Sequence, residues 1–166
     1  MKRTTLLVTV GVNVLALLAL IVGAALANTP SGVKATPVTA TQITRATLGK
    51  FEAENKGIKV KSLQRSADLA IVKVVIEPGG STGWHHHPGV VLVPVKAGTV
   101  TEYDARCHKS IYEAGKGFVE SNGEVHLVRN EGEFKAVLYA TFLVPTATPP
   151  EGLTISDQQP KGCHKH

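Results

Sequence analysis

From about residue 41 onward, short β-branched runs alternate with glycine-bearing turns, a rhythm that predicts strands and not helices. Residues 42–50 read as a first strand, and a polar, lysine-rich stretch then carries the chain to Asp68. Residues 69–76 (LAIVKVVI) are dominated by β-branched side chains and end at Pro78-Gly79-Gly80, a strand running into a turn. Further strands are expected at 90–97, 99–104, 109–112, 115–119, 125–129 and 134–144. Asn122-Gly123 marks a tight turn, and 130–133 another. Pro94 has no N–H to give to a ladder, so its strand is expected at a sheet edge or bulged there. Beyond the N-terminus no segment keeps a helical period. Many short strands divided by glycine turns indicate an all-β sandwich or barrel.

The N-terminus follows another pattern. Lys2 and Arg3 precede an apolar run from Leu6 to Leu26, which ends in Ala25-Leu26-Ala27, the small-x-small signature of a signal peptidase site. Residues 1–27 are therefore expected to be a signal peptide cleaved after Ala27. The alternative is an uncleaved membrane anchor, because the run exceeds the usual apolar core of roughly 7–15 residues and about 20 suffice to span a bilayer. Either reading exports the remainder: to the periplasm, the cell surface or the medium, or to the membrane on a tether. Residues 28–40 (NTPSGVKATPVTA) read as a flexible linker, 41–145 as the folded domain and 146–166 as a C-terminal tail.

Composition narrows the function classes. The 166 residues suffice for one domain, and 43% hydrophobic against 19% charged residues excludes global disorder. Without Lys2 and Arg3, 16 basic residues face 13 acidic ones, a charge of +3, with no basic helix or aromatic-interleaved patch. A nucleic-acid partner is not indicated, and a membrane is involved only through the N-terminal segment. Cys107 and Cys163 both fall in the exported part, where two cysteines form a disulfide by default. Closing a loop of about 55 residues would stabilise the fold by roughly 4 kcal/mol in the chain-entropy treatment. The competing reading is a metal site of Cys107-His108 with Cys163-His164-Lys165-His166.

The chemistry concentrates in GGSTGWHHHPGVVLVPVKAG, from Gly79 to Gly98. Side chains alternate along a strand, so His85 and His87 point one way and His86 the other, toward solvent. Two imidazoles on one face can grip a cation, and His126 in GEVHLVRN is the candidate third ligand. If the strand is regular, Val91, Val93 and Val95 share that face. Glu120, Glu124, Tyr103 and Tyr139 lie on neighbouring strands and read as solvated or packing residues. Trp84 reads as rim or core packing, and Asn130 as a residue that satisfies backbone groups of its turn.

These two stretches resemble the two cupin motifs. Gly79, His85, His87 and Gly98 match the first; Gly115, Gly123, His126 and Asn130 match the second. Val91 stands where the first motif usually has a glutamate, and Ser121 where the second has a proline. The resemblance implies a jelly-roll barrel, or double-stranded β-helix. Inside it, His85, His87 and His126 would hold one divalent metal, with iron, zinc, manganese or nickel all compatible. Val91 would line the pocket and leave a neutral three-histidine shell with an open position for a small, possibly anionic ligand. The resemblance allows metal-dependent catalysis, dioxygenase-like or hydrolytic, and equally a non-catalytic ligand-binding module. A third reading is a structural envelope barrel without functional metal. Many cupins form dimers, so a homodimer is also implied.

Overall fold

The computed structural model describes residues 38–49, 51–61 and 66–163. The predicted signal segment, most of the predicted linker, and His164–His166 of the alternative cysteine–histidine site lie outside the described residues. In chain order the elements are β1 (Val38–Leu48), β2 (Glu52–Asn55), β3 (Ile58–Lys61), β4 (Ala67–Ile76), β5 (His85–His86) and β6 (Val90–Ala97). They continue with β7 (Thr99–Asp104), β8 (Lys109–Glu113), β9 (Gly117–Glu120), β10 (His126–Arg129) and β11 (Ala136–Pro145). A 3₁₀ turn (Pro150–Leu153) and β12 (Ile155–Ser156) close the series. Among the described residues no helix is long and apolar enough to cross a membrane.

Two five-stranded sheets form the body. One has the order β1-β4-β11-β6-β9 and the other β12-β5-β10-β7-β8, while β2 and β3 make a separate exposed hairpin. Every pairing is antiparallel, and consecutive strands repeatedly change sheet, which is the jelly-roll form of the expected all-β class. Period-two burial shows why. In β11 the residues Ala136, Leu138, Ala140, Phe142 and Val144 are buried while their neighbours are half-exposed, and in β6 Val91, Val93 and Val95 alternate with exposed positions. Burying each of these larger side chains stabilises by roughly 1.5–3 kcal/mol, so a one-residue register slip would be heavily disfavoured. The inward rows of both sheets meet in one apolar core. A smaller cluster of Trp84, Tyr103, Leu127 and Cys163 packs outside the second sheet.

Several boundaries differ from expectation. β1 begins at Val38, inside the predicted linker, because its pairing with β4 runs from Val38↔Ile76 to Leu48↔Ala67. The lysine-rich stretch is not featureless: β2 and β3 pair there with Lys59 bridging Glu52 and Glu54. Pro94 lies in an internal strand, flanked by β11 and β9, and not at an edge. The ladder with β11 is irregular beside it, stepping from Val137↔Ala97 to Leu138↔Val95. The stretch Gly79–Gly98 is also not one strand. β5 belongs to the second sheet and β6 to the first, and the chain crosses between them at Pro88-Gly89. Gly89 permits that crossing: a Cβ there would collide with the Leu143 carbonyl oxygen.

The C-terminal segment is part of the fold. Cys163 is disulfide-bonded to Cys107, so neither sulfur is free as a metal-binding thiolate and the alternative cysteine–histidine site is excluded. β12 pairs with β5 through Ile155↔His86 and Ser156↔His85. The segment thus forms a strap across the histidine-bearing strand.

Candidate metal centre

Three imidazoles converge inside the barrel. β5 supplies His85, the crossing that follows it supplies His87, and β10 supplies His126 directly opposite His85 in register. All three are buried, with ring centroids 4.3 to 5.2 Å apart. Each ring binds a backbone carbonyl through Nδ1: His85 to Gly83 at 2.9 Å, His87 to Leu153 at 2.6 Å and His126 to Glu124 at 2.8 Å. A carbonyl only accepts, so each Nδ1 carries the proton, and in the neutral ring each Nε2 keeps a free lone pair.

A carboxylate completes the group. Glu120, at the end of β9, is buried, with one oxygen 3.1 Å from His87 Nε2 and the other 3.2 Å from His126 Nε2. Donor atoms of His85, His87, Glu120 and His126 all lie within 4.8 Å of one another, close enough to hold a single cation. Electrostatics agree with a ligand set. Burial pushes the His85 imidazole down to about 3, helped by the neighbouring His126 and His87, so it is neutral at ordinary pH. Burial alone would raise the Glu120 carboxyl, but His126 and His87 outweigh it and hold the group at about 2, ionised. Burial would lower His126, and Glu120 overcomes that to raise it. His126 Nε2 is buried without an aligned hydrogen bond despite the carboxylate beside it. An unsatisfied buried nitrogen facing a carboxylate and two more imidazoles fits a cation between them.

Sequence comparison adds one decisive finding: the profile of the cupin domain matches residues 72–142. The chain carries a cupin domain over those residues. That matched segment contains all four converging side chains. No curated protein matches the chain in sequence. Similar solved structures include a cupin domain from Bordetella pertussis, at 18% identity and TM-score 0.48 over 68% of this chain and 98% of that one. A cupin 2 conserved barrel domain protein from Salinispora arenicola shows 17% identity and TM-score 0.47, over 66% and 77%. An oxalate oxidase shows 20% identity and TM-score 0.45, over 53% and 45%.

The site departs from expectation at its carboxylate. The shell is not three neutral histidines, because Glu120 joins them; it had read as a solvated or packing residue. Val91 does not line the pocket as expected but is packed in the core, and Val93 and Glu120 form the wall. The available signal was the alternation of β9, where Phe118 and Glu120 share the buried face. The other singled-out residues lie apart. His86 is half-buried, not solvated, with Nδ1 2.6 Å from Asp157 of the strap. Tyr103 donates to Glu131 at 2.7 Å, and burial followed by that carboxylate pushes its hydroxyl up to about 12. Tyr139 is half-exposed on the outer face of β11, and Glu124 is exposed. Trp84 packs in the small outer cluster. Asn130, fully buried, donates to the carbonyls of Ile76 and Phe134 and accepts from Gly132 N, which is the backbone role expected of it.

His85, His87 and Glu120 form part of the wall of a cavity of ≈ 660 Å³. β1, β4 and β11 contribute most of the remaining wall, and the strap contributes Pro150, Glu151, Leu153, Thr154 and Ser156.

Proposed function

We propose that this exported cupin holds one divalent cation on His85, His87, His126 and Glu120, and uses it to bind a small ligand in the adjoining cavity. The observation that carries the reading is the set of three Nδ1–carbonyl bonds, which leave three Nε2 lone pairs gathered around one ionised carboxylate. Three nitrogens and one oxygen suit iron, zinc, manganese or nickel. A bound ion would supply Lewis acidity to a ligand occupying an open position. The single carboxylate leaves a +2 ion with net positive charge, which favours an anionic head. The protein's own residues orient the ligands: Leu153 O steers His87, Gly83 O steers His85 and Glu124 O steers His126. The Cys107–Cys163 bridge supports an oxidising, extracytoplasmic location.

A second reading, ligand binding without turnover, has one specific support. Among the described cavity-lining residues, Glu151 is the sole titratable group besides the candidate ligands, and it is exposed. A general acid or base facing the cavity is therefore scarce.

Elemental analysis of purified protein beside His87→Ala tests the proposal. One equivalent of metal in the parent and its loss in the variant are expected; no metal in either after loading with zinc, iron or manganese would overturn it. Oxygen uptake or hydrolysis by the loaded protein separates catalysis from binding alone.

A further inference from the structure

We infer that the cavity selects a ligand with one anionic head and an apolar body over one that carries a second anion at its far end. The placement of the head rests on the metal reading above; the choice of body rests on the cavity walls alone.

Apolar side chains dominate the walls of this cavity, with Gln42, Thr82, Thr154, Ser156 and Glu151 the polar lining besides the candidate ligands. His85, His87 and Glu120 stand on the barrel interior where the metal ligands converge. The walls from β4 and β11 present Val72, Val74, Leu138, Ala140 and Phe142, and Leu153 of the strap adds a further apolar surface. At ≈ 660 Å³ the space is in the range of pockets that enclose drug-sized molecules, far more than a two-carbon acid would fill. Each CH₂ moved from water against such walls is worth roughly a fourfold gain in affinity. An apolar body therefore draws its binding from surface already present.

Charge argues in the same direction. Among the described lining residues there is no lysine or arginine, and the acidic ones are Glu120 and Glu151. One anionic head can be answered by the cation. A second carboxylate at the far end of the ligand, out of reach of the cation, would lose its water with no cationic side chain to compensate. The cavity chemistry thus fits a medium-chain or aryl monocarboxylate.

The test titrates decanoate, hexanoate and adipate into the zinc-loaded full chain by calorimetry. Decanoate is expected to bind at least tenfold more tightly than hexanoate, and adipate more weakly than either. Ala140→Leu, which narrows the wall, should weaken decanoate more than hexanoate while metal content is retained. Should that variant fail to fold, Ala40→Leu on β1 reports on the same wall. Adipate binding as tightly as decanoate, or affinities indifferent to chain length, would overturn the inference. If no metal is retained but 1-decanol and decanoate compete for one site weakened by Ala40→Leu, the metal reading falls and selection for an apolar body stands.

Discussion

Val91 and Glu120 are direct cross-strand partners on β6 and β9. The first sits where the cupin motif usually carries its carboxylate; the second brings a carboxylate to the histidines from one strand further along. Residues opposite each other in an antiparallel pair point to the same face with Cβ atoms about 5 Å apart. Glu120 thus sets a carboxylate beside the histidines about one strand spacing from Val91.

Glu120→Gln should weaken metal binding by more than about tenfold, because it removes the site's only negative ligand while keeping its shape. The exchange variant Val91→Glu with Glu120→Val should recover part of that loss. Competition against a chromophoric chelator measures both. Equal affinity in parent and Glu120→Gln would remove the carboxylate from the site.

The strap couples the disulfide to the candidate metal centre. It carries Leu153, whose carbonyl holds His87 Nδ1 at 2.6 Å, and Asp157, whose carboxylate meets His86 at 2.6 Å. Cys107→Ser with Cys163→Ser should cost about 2–4 kcal/mol of stability, read by chemical denaturation. The same variant should also hold metal less tightly, since His87 loses part of its orientation. Unchanged metal affinity in a destabilised protein would show that the strap anchors itself without the bridge.

Asp68 links acid stability to the cavity wall. Arg45 first, then Thr47, holds its carboxyl below the ordinary carboxylate value, against an opposing effect of burial; Ala147 N also donates to it. A carboxyl depressed in the folded state stabilises fully above its unfolded pKa of about 3.9, and that contribution disappears as pH falls through the folded value. Arg45 and Thr47 belong to β1, which supplies Val38, Ala40 and Gln42 to the cavity. Asp68→Asn should therefore be less stable than the parent at pH 7, with the gap closing as pH is lowered below 4. Urea unfolding across that range decides it; a gap independent of pH would assign the effect to lost packing.

Much of this architecture was legible along the chain because it is local. The strands at 90–97 and 99–104 match β6 and β7 residue for residue, since β-branched alternation bounded by Gly98 is a pattern of neighbours. His85, His87 and His126 were legible from spacing in the same way, and the disulfide from the presence of two cysteines. β2 and β3 escaped notice because both are exposed on each face, so no apolar alternation marks them. Glu120 escaped because a glutamate on a strand is ordinarily solvated, and only its partners make burial tolerable.

The primary structure alone determined an all-β barrel, the positions of its strongest strands and three imidazoles available to meet. Tertiary folding decided that the histidine stretch crosses between two sheets, that Glu120 stands opposite Val91, and that the C-terminal strap orients His87. Period-two burial is written in adjacent residues, whereas strand order and the approach of residues 85, 120, 126 and 153 depend on long-range pairings that no local pattern encodes.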